Sequence, residues 1–247
     1  MHYRKDNIVP LKKRLIAMDL DGTVTQHKSP PDEAALKALS ALEKTHKLLI
    51  VGAGFCERIR KQLGLGIDII GSYGMQFMSF AGGEPRIVFD EKAPVDRELM
   101  LAKAAYLREK HGYGTFSGDS LQFYDGGCVI FALLGTEAKL CDKLAFDPDR
   151  KKRRKFYDDV VKTFPDYNVF IGGTSSFDLV PKPFDKYHAL ARFCSENGYS
   201  AGETVFIGDD FGRGGNDEPV YASDFDFIEI TDYKDFPAVV NAAFGNK

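Results

Sequence analysis

Acidic residues follow two short apolar segments of the sequence, and their types and spacing suit the transfer of a phosphoryl group. The segment Leu15–Met18 runs into Asp19-Leu20-Asp21-Gly22-Thr23, and the segment 204–207 runs into Gly208-Asp209-Asp210, with Asp217 close behind. Residues two apart in extended backbone point the same way, so Asp19 and Asp21 can share one side of a strand end. Neighbouring carboxylates repel one another unless a cation lies between them or one is protonated. Hard oxygen donors without clustered histidines or cysteines favour Mg²⁺ over zinc.

Each of these groups has an expected role in such a reaction. Asp19 is the expected nucleophile, because a cation that neutralises the phosphate lets a carboxylate approach phosphorus and form an aspartyl-phosphate. Asp21 is expected to protonate the departing alkoxide and later to deprotonate the attacking water. A lysine should hold the non-bridging oxygens, and Lys186 is the candidate, at the start of a predicted helix. An aspartate at a strand end usually caps or turns the chain. The longer motif Asp-x-Asp-Gly-Thr after one strand, together with a Gly-Asp motif after another, favours a catalytic role instead.

The segments that must position these residues alternate between apolar runs and helical patterns at both ends of the chain. Strands are predicted at 15–18, 48–51, 67–70, 204–207 and 227–230. The intervening segments repeat apolar residues at helical spacing, and the last helix is predicted to start near Asp235. Strands that alternate with helices indicate βαβ units and a parallel sheet, in which ligands bind beyond the carboxyl ends of the strands.

The middle of the chain has a different pattern. A helix is predicted from Asp96 to Lys110, and Asp125-Gly126-Gly127 is a hairpin signal between predicted strands at 121–124 and 129–134. A charged helix is predicted over 148–164, with its basic run 151–155 as a solvated face, before strands at 168–171 and 176–180. The chain is therefore predicted to be an α/β protein. Its Rossmann-like, doubly wound parallel-sheet core comprises 1–85 and 182–247, with an α+β cap inserted at 86–181.

Composition excludes several classes of protein. Of the 247 residues 44% are apolar, and the net charge of −3 gives no reason to expect nucleic acid or an anionic membrane as partner. The four cysteines are scattered without a Cys-x-x-Cys pair, which argues against a zinc site and a disulfide framework. No apolar run approaches the roughly 20 residues of a membrane-spanning helix. The basic N-terminus lacks the apolar core of a signal peptide, so we expect a cytoplasmic protein.

The motifs together resemble those of the haloacid-dehalogenase (HAD) phosphatase superfamily, in its Cof-type branch with an α/β cap (class IIB), and most of all the eukaryotic-type phosphomannomutases. The matching stretches are Asp19-Leu20-Asp21-Gly22-Thr23-Val24-Thr25, Val51-Gly52-Ala53-Gly54, Ser176-Phe177-Asp178-Leu179-Val180-Pro181, Asp185-Lys186 and Gly214-Gly215-Asn216-Asp217. The resemblance covers nearly the whole chain in the family's order. It implies the same fold, the same acid chemistry and Mg²⁺ as cofactor, and it leaves open a homodimer through the cap.

The resemblance also assigns roles to residues. It implies that Asp19, the backbone carbonyl of Asp21 and Asp209 bind Mg²⁺, with Asn216 and Asp217 in support. It implies that Ser176 and Asp178 touch the substrate from the cap side, and that Lys186 holds the phosphate. The second motif would bind phosphate through backbone N–H groups at Gly52, Ala53 and Gly54, because it lacks the usual serine or threonine.

Departures from the family bear on the reaction. Mutases hold the distal phosphate with cap arginines, and Tyr124 and Thr136 align with two of those positions. Lys28 aligns with another arginine and cannot reproduce its bidentate grip on phosphate. Without a clamp, an intermediate phosphorylated at the other end would escape. We therefore expect a Mg²⁺-dependent phosphatase acting on a small phosphate monoester, such as a sugar phosphate. Two alternatives remain: a phosphomannomutase that interconverts mannose 1-phosphate and mannose 6-phosphate, and a non-catalytic ligand-binding protein.

Overall fold

The computed structural model describes residues 1–245, which contain twelve strands and nine α-helices. The strands in chain order are β1 (His2–Tyr3), β2 (Leu15–Met18), β3 (Lys47–Val51), β4 (Asp68–Gly71), β5 (Gln76–Ser79), β6 (Arg86–Asp90), β7 (Leu121–Phe123), β8 (Val129–Ala132), β9 (Tyr167–Phe170), β10 (Ser176–Pro181), β11 (Thr204–Gly208) and β12 (Asp226–Glu229). The helices are α1 (Glu33–Leu42), α2 (Cys56–Leu63), α3 (Arg97–His111), α4 (Leu140–Phe146), α5 (Lys151–Arg154), α6 (Tyr157–Thr163), α7 (Lys186–Asn197), α8 (Glu218–Tyr221) and α9 (Phe236–Phe244).

The chain folds into two compact units. The first, here called the core unit, comprises Met1–Asp90, Lys186–Gly212 and the residues from Asp217 onward. The second, the insert unit, comprises Glu91–Asp185 together with Arg213–Asn216. The cap was predicted to span 86–181. The structure differs in two ways: β6 lies in the core unit, and residues 182–185 and 213–216 lie in the insert unit.

The core unit is built on one eight-stranded sheet. Its strand order is β1-β12-β11-β2-β3-β4-β5-β6. Every pair from β1 to β4 is parallel, which confirms the predicted α/β class, whereas β5 and β6 extend the edge in antiparallel fashion. Strands β1, β5 and β6 were not predicted from the sequence.

Both faces of this sheet are covered by helices, as a doubly wound core requires. Alternate residues of β2 face opposite layers because strand side chains have a period of two. Ile16 and Met18 pack with α1, α2 and α9, and Leu15 and Ala17 pack with α7 and α8. All four β2 side chains are fully buried, so the strand that leads to Asp19 is anchored on both faces.

The insert unit has its own antiparallel sheet, in the order β7-β8-β10-β9, which confirms the predicted hairpin. The predicted charged helix over 148–164 is wrong, because α5 and α6 are separate short helices. Nor is the basic run wholly solvated. Arg153 is buried and pairs with Asp147 at 2.9 Å, and it donates to the carbonyl oxygen of Gly172 at 2.7 Å.

Two expectations about cysteines and membranes can be compared with the structure. All four cysteines are free thiols. Among the residues that the structure describes, no helix has both the length and the apolar character that crossing a membrane requires.

Candidate active site

The site lies at the carboxyl edge of the core sheet, where β2 ends at Asp19. The backbone N–H of Asp19 donates to the carbonyl oxygen of Ile207 at 2.9 Å, which ties the end of β2 to β11. The Asp19 residue is only 5% exposed, and burial raises its pKa well above the ordinary range. The neighbouring charges of Asp217 and Asp209 raise this pKa further, and the ammonium of Lys186 opposes them.

Lys186 is the first residue of α7 and is fully buried. Its Nζ lies 2.9 Å from Oδ1 of Asp19 and 2.7 Å from Oδ1 of Asp217. Burial alone would lower the pKa of this amine, but the two carboxylates outweigh burial and raise it, so the lysine stays charged. The predicted phosphate-binding cation is therefore in contact with the predicted nucleophile.

Three carboxylates meet around this lysine. One oxygen atom each of Asp19, Asp209 and Asp217 lies within 4.8 Å of the other two. Asp209 follows β11 and accepts a hydrogen bond from Oγ1 of Thr23 at 2.8 Å. Burial, and then the charge of Asp217, raises the pKa of Asp209 to about 6.

Asp217 holds the loop after β11 in place. Its Oδ2 accepts from the backbone N–H groups of Asp209 at 3.1 Å and Asp210 at 3.0 Å, while its Oδ1 accepts from Lys186. Both oxygens of this fully buried carboxylate are thus engaged by the protein. Asp217 is placed to orient Asp209 and Lys186.

Two glycines leave room for these carboxylates. Gly22 has a φ of +97°, and a Cβ there would lie 2.5 Å from Oδ2 of Asp209. A Cβ on Gly208 would lie 2.5 Å from Oδ2 of Asp217. The glycine of the Asp-x-Asp-Gly motif therefore serves both the left-handed turn and the close approach of Asp209.

The charges of the cluster suit a divalent cation. Three buried or half-buried carboxylates face one ammonium, so formal charges of −3 and +1 leave −2 uncompensated in a largely desolvated place. Such charge is costly unless it is paired. Asp19 and Asp209 offer the hard oxygen donors that Mg²⁺ takes, whereas both oxygens of Asp217 already accept from the protein.

Asp21 lies outside this cluster and is held by three donors. Its Oδ1 accepts from the backbone N–H of Lys28 at 2.6 Å and from Nε2 of Gln62 at 2.8 Å. Its Oδ2 accepts from Nη2 of Arg58 at 3.1 Å. Burial would raise the pKa of Asp21, but these hydrogen bonds and the charge of Arg58 hold it below the ordinary range. Arg58 and Gln62 were not predicted as site residues, although their spacing of four on α2 places them on one face of that helix.

The second motif differs in part from its prediction. The N–H of Gly52 donates to the carbonyl oxygen of Ile70 at 2.9 Å, so the sheet uses it, and its prediction as a phosphate donor is wrong. Ala53 and Gly54 lie beyond the end of β3 and are half-buried. Lys28 is exposed, and its backbone N–H binds Asp21.

The predicted substrate-binding residues of the cap lie in the insert unit. Ser176 and Asp178 stand on β10, where Oγ of Ser176 donates to the carbonyl oxygen of Gly172 at 3.1 Å. Asn216, a predicted support for the metal, is half-buried and groups with the insert unit. Of the predicted site residues, the core unit thus brings together Asp19, Lys186, Asp209 and Asp217, with Asp21 beside them in sequence.

The sequence is similar to phosphomannomutases of several organisms. Residues 115–233 match the family model described as eukaryotic phosphomannomutase. The chain is 25% identical over 227 residues to the phosphomannomutase of Saccharomyces cerevisiae, with 85% of each chain covered. It is 26% identical over 231 residues to human phosphomannomutase 1, with 85% of this chain and 84% of the human chain covered.

Solved structures share the fold. An IMP-bound IMP-nucleotidase from Plasmodium falciparum superposes with a TM-score of 0.61 at 16% identity, over 94% of this chain and 68% of that one. A haloacid dehalogenase-like hydrolase from B. subtilis gives a TM-score of 0.58 at 15% identity, over 91% of this chain and 92% of that one. These similarities agree with the resemblance seen in the motifs: the sequence is similar to eukaryotic phosphomannomutases, and the fold is shared with a haloacid dehalogenase-like hydrolase.

Proposed function

We propose that this protein is a Mg²⁺-dependent phosphatase that hydrolyses a small phosphate monoester, such as a sugar phosphate, through an aspartyl-phosphate on Asp19. The observation that carries the proposal is the buried Lys186, which contacts Asp19 and Asp217 beside Asp209. Mg²⁺ bound by Asp19 and Asp209 would supply the positive charge that lets a phosphate dianion approach a carboxylate.

The chain's own residues account for the two half-reactions. An oxygen of Asp19 forms a bond to phosphorus as the ester P–O bond breaks, while the ammonium of Lys186 binds the charge that develops on the phosphoryl oxygens. Asp21 passes a proton to the departing alkoxide. It then takes a proton from the water that attacks phosphorus and frees Asp19.

The ionisation of Asp21 suits the second of these steps. Its lowered pKa keeps the carboxylate ionised in the free protein, which is the form that deprotonates water. In the first step Asp21 must carry a proton. The charge of the incoming phosphate dianion favours that protonated form, because a nearby like charge raises the pKa of a carboxyl group.

The insert unit supports hydrolysis over isomerisation. The positions aligned with two cap arginines of the mutases carry Tyr124 and Thr136. The two buried arginines of the unit serve its own fold: Arg153 pairs with Asp147, and Arg108 donates to the carbonyl oxygen of Leu133 at 2.8 Å. A sugar bisphosphate would meet neither of them as a free cation.

A phosphomannomutase is the second candidate, favoured by the family model over residues 115–233 and by the phosphomannomutase relatives. Homodimerisation through the insert unit accompanies this candidate as a further proposal, which light scattering tests.

The experiment is a Mg²⁺-dependent screen of sugar phosphates that follows both released phosphate and isomerised sugar. We expect phosphate release that Asp19→Asn abolishes and that Asp224→Asn, at an exposed position, leaves unchanged. Conversion of mannose 1-phosphate to mannose 6-phosphate in excess of hydrolysis would establish the mutase instead. If no ester in the panel released phosphate, the ligand-binding protein would remain as the alternative. Turnover that survives Asp19→Asn would exclude Asp19 as the nucleophile.

A further inference from the structure

Arg58 lies between the acid–base candidate and the second motif. Its Nη2 is 3.1 Å from Oδ2 of Asp21, and its Nη1 is 2.7 Å from Oε1 of Gln62. On its other side the guanidinium lies against Gly54. A Cβ built on Gly54 would come within 2.6 Å of Cζ of Arg58, and closer still to Nη2 and Nε. The guanidinium therefore occupies the space that a side chain at position 54 would fill.

This place is at the carboxyl edge of the core sheet, next to the nucleophile. β3 pairs with β2 in parallel register, with Ile50 opposite Met18, so the segment that begins at Val51 lies beside Asp19. The backbone N–H of Gly52 is not available to bind an anion here, because it donates a hydrogen bond to the carbonyl oxygen of Ile70. A phosphoryl group on Asp19 would need donors from this side, and the guanidinium is a charged donor in contact with Asp21.

We propose that Arg58 binds non-bridging oxygens of the phosphoryl group, and that residue 54 is glycine because the guanidinium needs its space. The inference rests on the proposed phosphoryl transfer for its ligand. The two observed bonds use two of the five N–H groups of the guanidinium. Arginine binds phosphate oxygens with two parallel, charge-assisted hydrogen bonds, a geometry that lysine lacks.

A purely structural role for Arg58 explains the arrangement less well. Its side chain is 40% exposed, and ion pairs this exposed contribute little to folding. Asp21 is already oriented by Gln62 and by the backbone of Lys28. The contact with Asp21 gives Arg58 a second use, since it would tie the acid–base group to the bound phosphoryl group.

The test measures binding of inorganic phosphate by calorimetry with Mg²⁺ present, and inhibition of turnover by phosphate. Arg58→Gln should raise the dissociation constant for phosphate about tenfold or more, with Arg58→Lys in between. Gly54→Ala should weaken binding as well, because the methyl group displaces the guanidinium. The matched control is Arg60→Gln, since Arg60 stands on the same helix and pairs with Glu57 at 2.7 Å and 2.8 Å. It should leave phosphate binding within about twofold.

A double-variant cycle makes the test specific. If Gly54→Ala acts only through the guanidinium, Gly54→Ala with Arg58→Gln should bind phosphate no worse than Arg58→Gln alone. Additive losses, or unchanged phosphate binding in Arg58→Gln, overturn the inference, as does an unaltered protein that binds no phosphate. If Arg58→Gln folds poorly, the test uses Arg58→Lys and Gly54→Ala instead. Thermal melts establish that these two variants are folded, and both should still bind phosphate more weakly than the unaltered protein. Since binding needs no turnover, Arg58-dependent phosphate binding without hydrolysis would refute the proposed function alone.

Discussion

Lys186 and Asp217 form a salt bridge of 2.7 Å in which neither side chain is exposed. The same ammonium reaches Asp19 at 2.9 Å, so one buried cation neutralises the orienting carboxylate and contacts the expected nucleophile. A buried pair of this kind stabilises the fold only as a pair, because each partner alone is a desolvated charge.

Replacing Lys186 with methionine should therefore impair both stability and turnover. Two carboxylates lose their cation, and we expect the free energy of unfolding to fall by about 3–5 kcal/mol. Urea denaturation measures this loss. Lys182→Met is the control, since that lysine is exposed and its ammonium donates to the carbonyl oxygen of Pro165. Adding Asp217→Asn to Lys186→Met should restore part of the stability and none of the turnover; no restoration would contradict this account.

Replacing Gly22 with alanine should disturb Asp209. The new methyl group would lie 2.5 Å from Oδ2 of Asp209, so the carboxylate must move and Mg²⁺ affinity should fall about tenfold or more. Gly64→Ala is the control for backbone strain, because Gly64 also has a positive φ, +69°, with nothing within 4 Å of its Cβ. Calorimetry with Mg²⁺ on both variants separates the two effects. Equal losses of Mg²⁺ affinity would show that strain, and not the clash, is responsible.

Removing one carboxylate should stabilise the metal-free protein and abolish its response to Mg²⁺. Asp209→Asn removes one of the uncompensated charges, so its melting temperature without metal should exceed that of the unaltered protein. Mg²⁺ at about 100 times its dissociation constant should stabilise the unaltered protein by about 2.7 kcal/mol and the variant far less. Differential scanning calorimetry with and without Mg²⁺ measures both. A variant that Mg²⁺ stabilises fully would exclude Asp209 as a ligand.

Mg²⁺ affinity should depend on pH through Asp209. Its pKa of about 6 means that protons compete with the cation, so affinity should fall as the pH drops through about 6. The stability of the metal-free protein should change in the opposite sense. A carboxyl group with a raised pKa binds more protons in the folded state, so this group stabilises the fold more as the pH falls from above 6 towards 4. Titrations of unaltered protein and Asp209→Asn check both trends, and a pH-independent affinity would contradict them.

The insert unit should depend on its buried arginine. Arg153 and Asp147 are 1% and 0% exposed, and Arg153 also donates to the carbonyl oxygens of Gly172 and Ser176. Arg153→Gln should lower the free energy of unfolding by about 3–5 kcal/mol, because Asp147 loses its partner. Arg154→Gln, at an exposed neighbour, should change it by less than about 0.5 kcal/mol. Urea denaturation of the whole chain compares the two, and equal effects would contradict the burial argument.

The sequence was sufficient to predict which groups meet in the core unit. Asp19 and Asp209 follow strands, and the carboxyl ends of parallel strands share one edge of the sheet, so their proximity follows from fold class alone. Lys186 was predicted from its place at the start of a helix, and the supporting role of Asp217 from the family's motifs. Their mutual contact required the structure.

The sequence was insufficient where a long-range contact decides the outcome. Arg58 and Gln62 reach Asp21 because of how α2 turns against the end of β2, which local spacing does not specify. The N–H of Gly52 was predicted to bind phosphate, but it donates a hydrogen bond to the carbonyl oxygen of Ile70 in the sheet. Arg153 was predicted to be solvated because it lies in a basic run. Its side chain is instead buried, where it donates to carbonyl oxygens about twenty residues away in sequence.

The strand order has a consequence for synthesis of the chain. β2 lies between β3, which follows it closely in sequence, and β11, which begins at Thr204. A nascent chain that has not yet released β11 from the ribosome therefore presents one edge of β2 unpaired, with Asp19 lacking Lys186 and Asp217. Unpaired strand edges promote association with other chains. During translation, this apolar strand needs protection until nearly the whole protein has emerged.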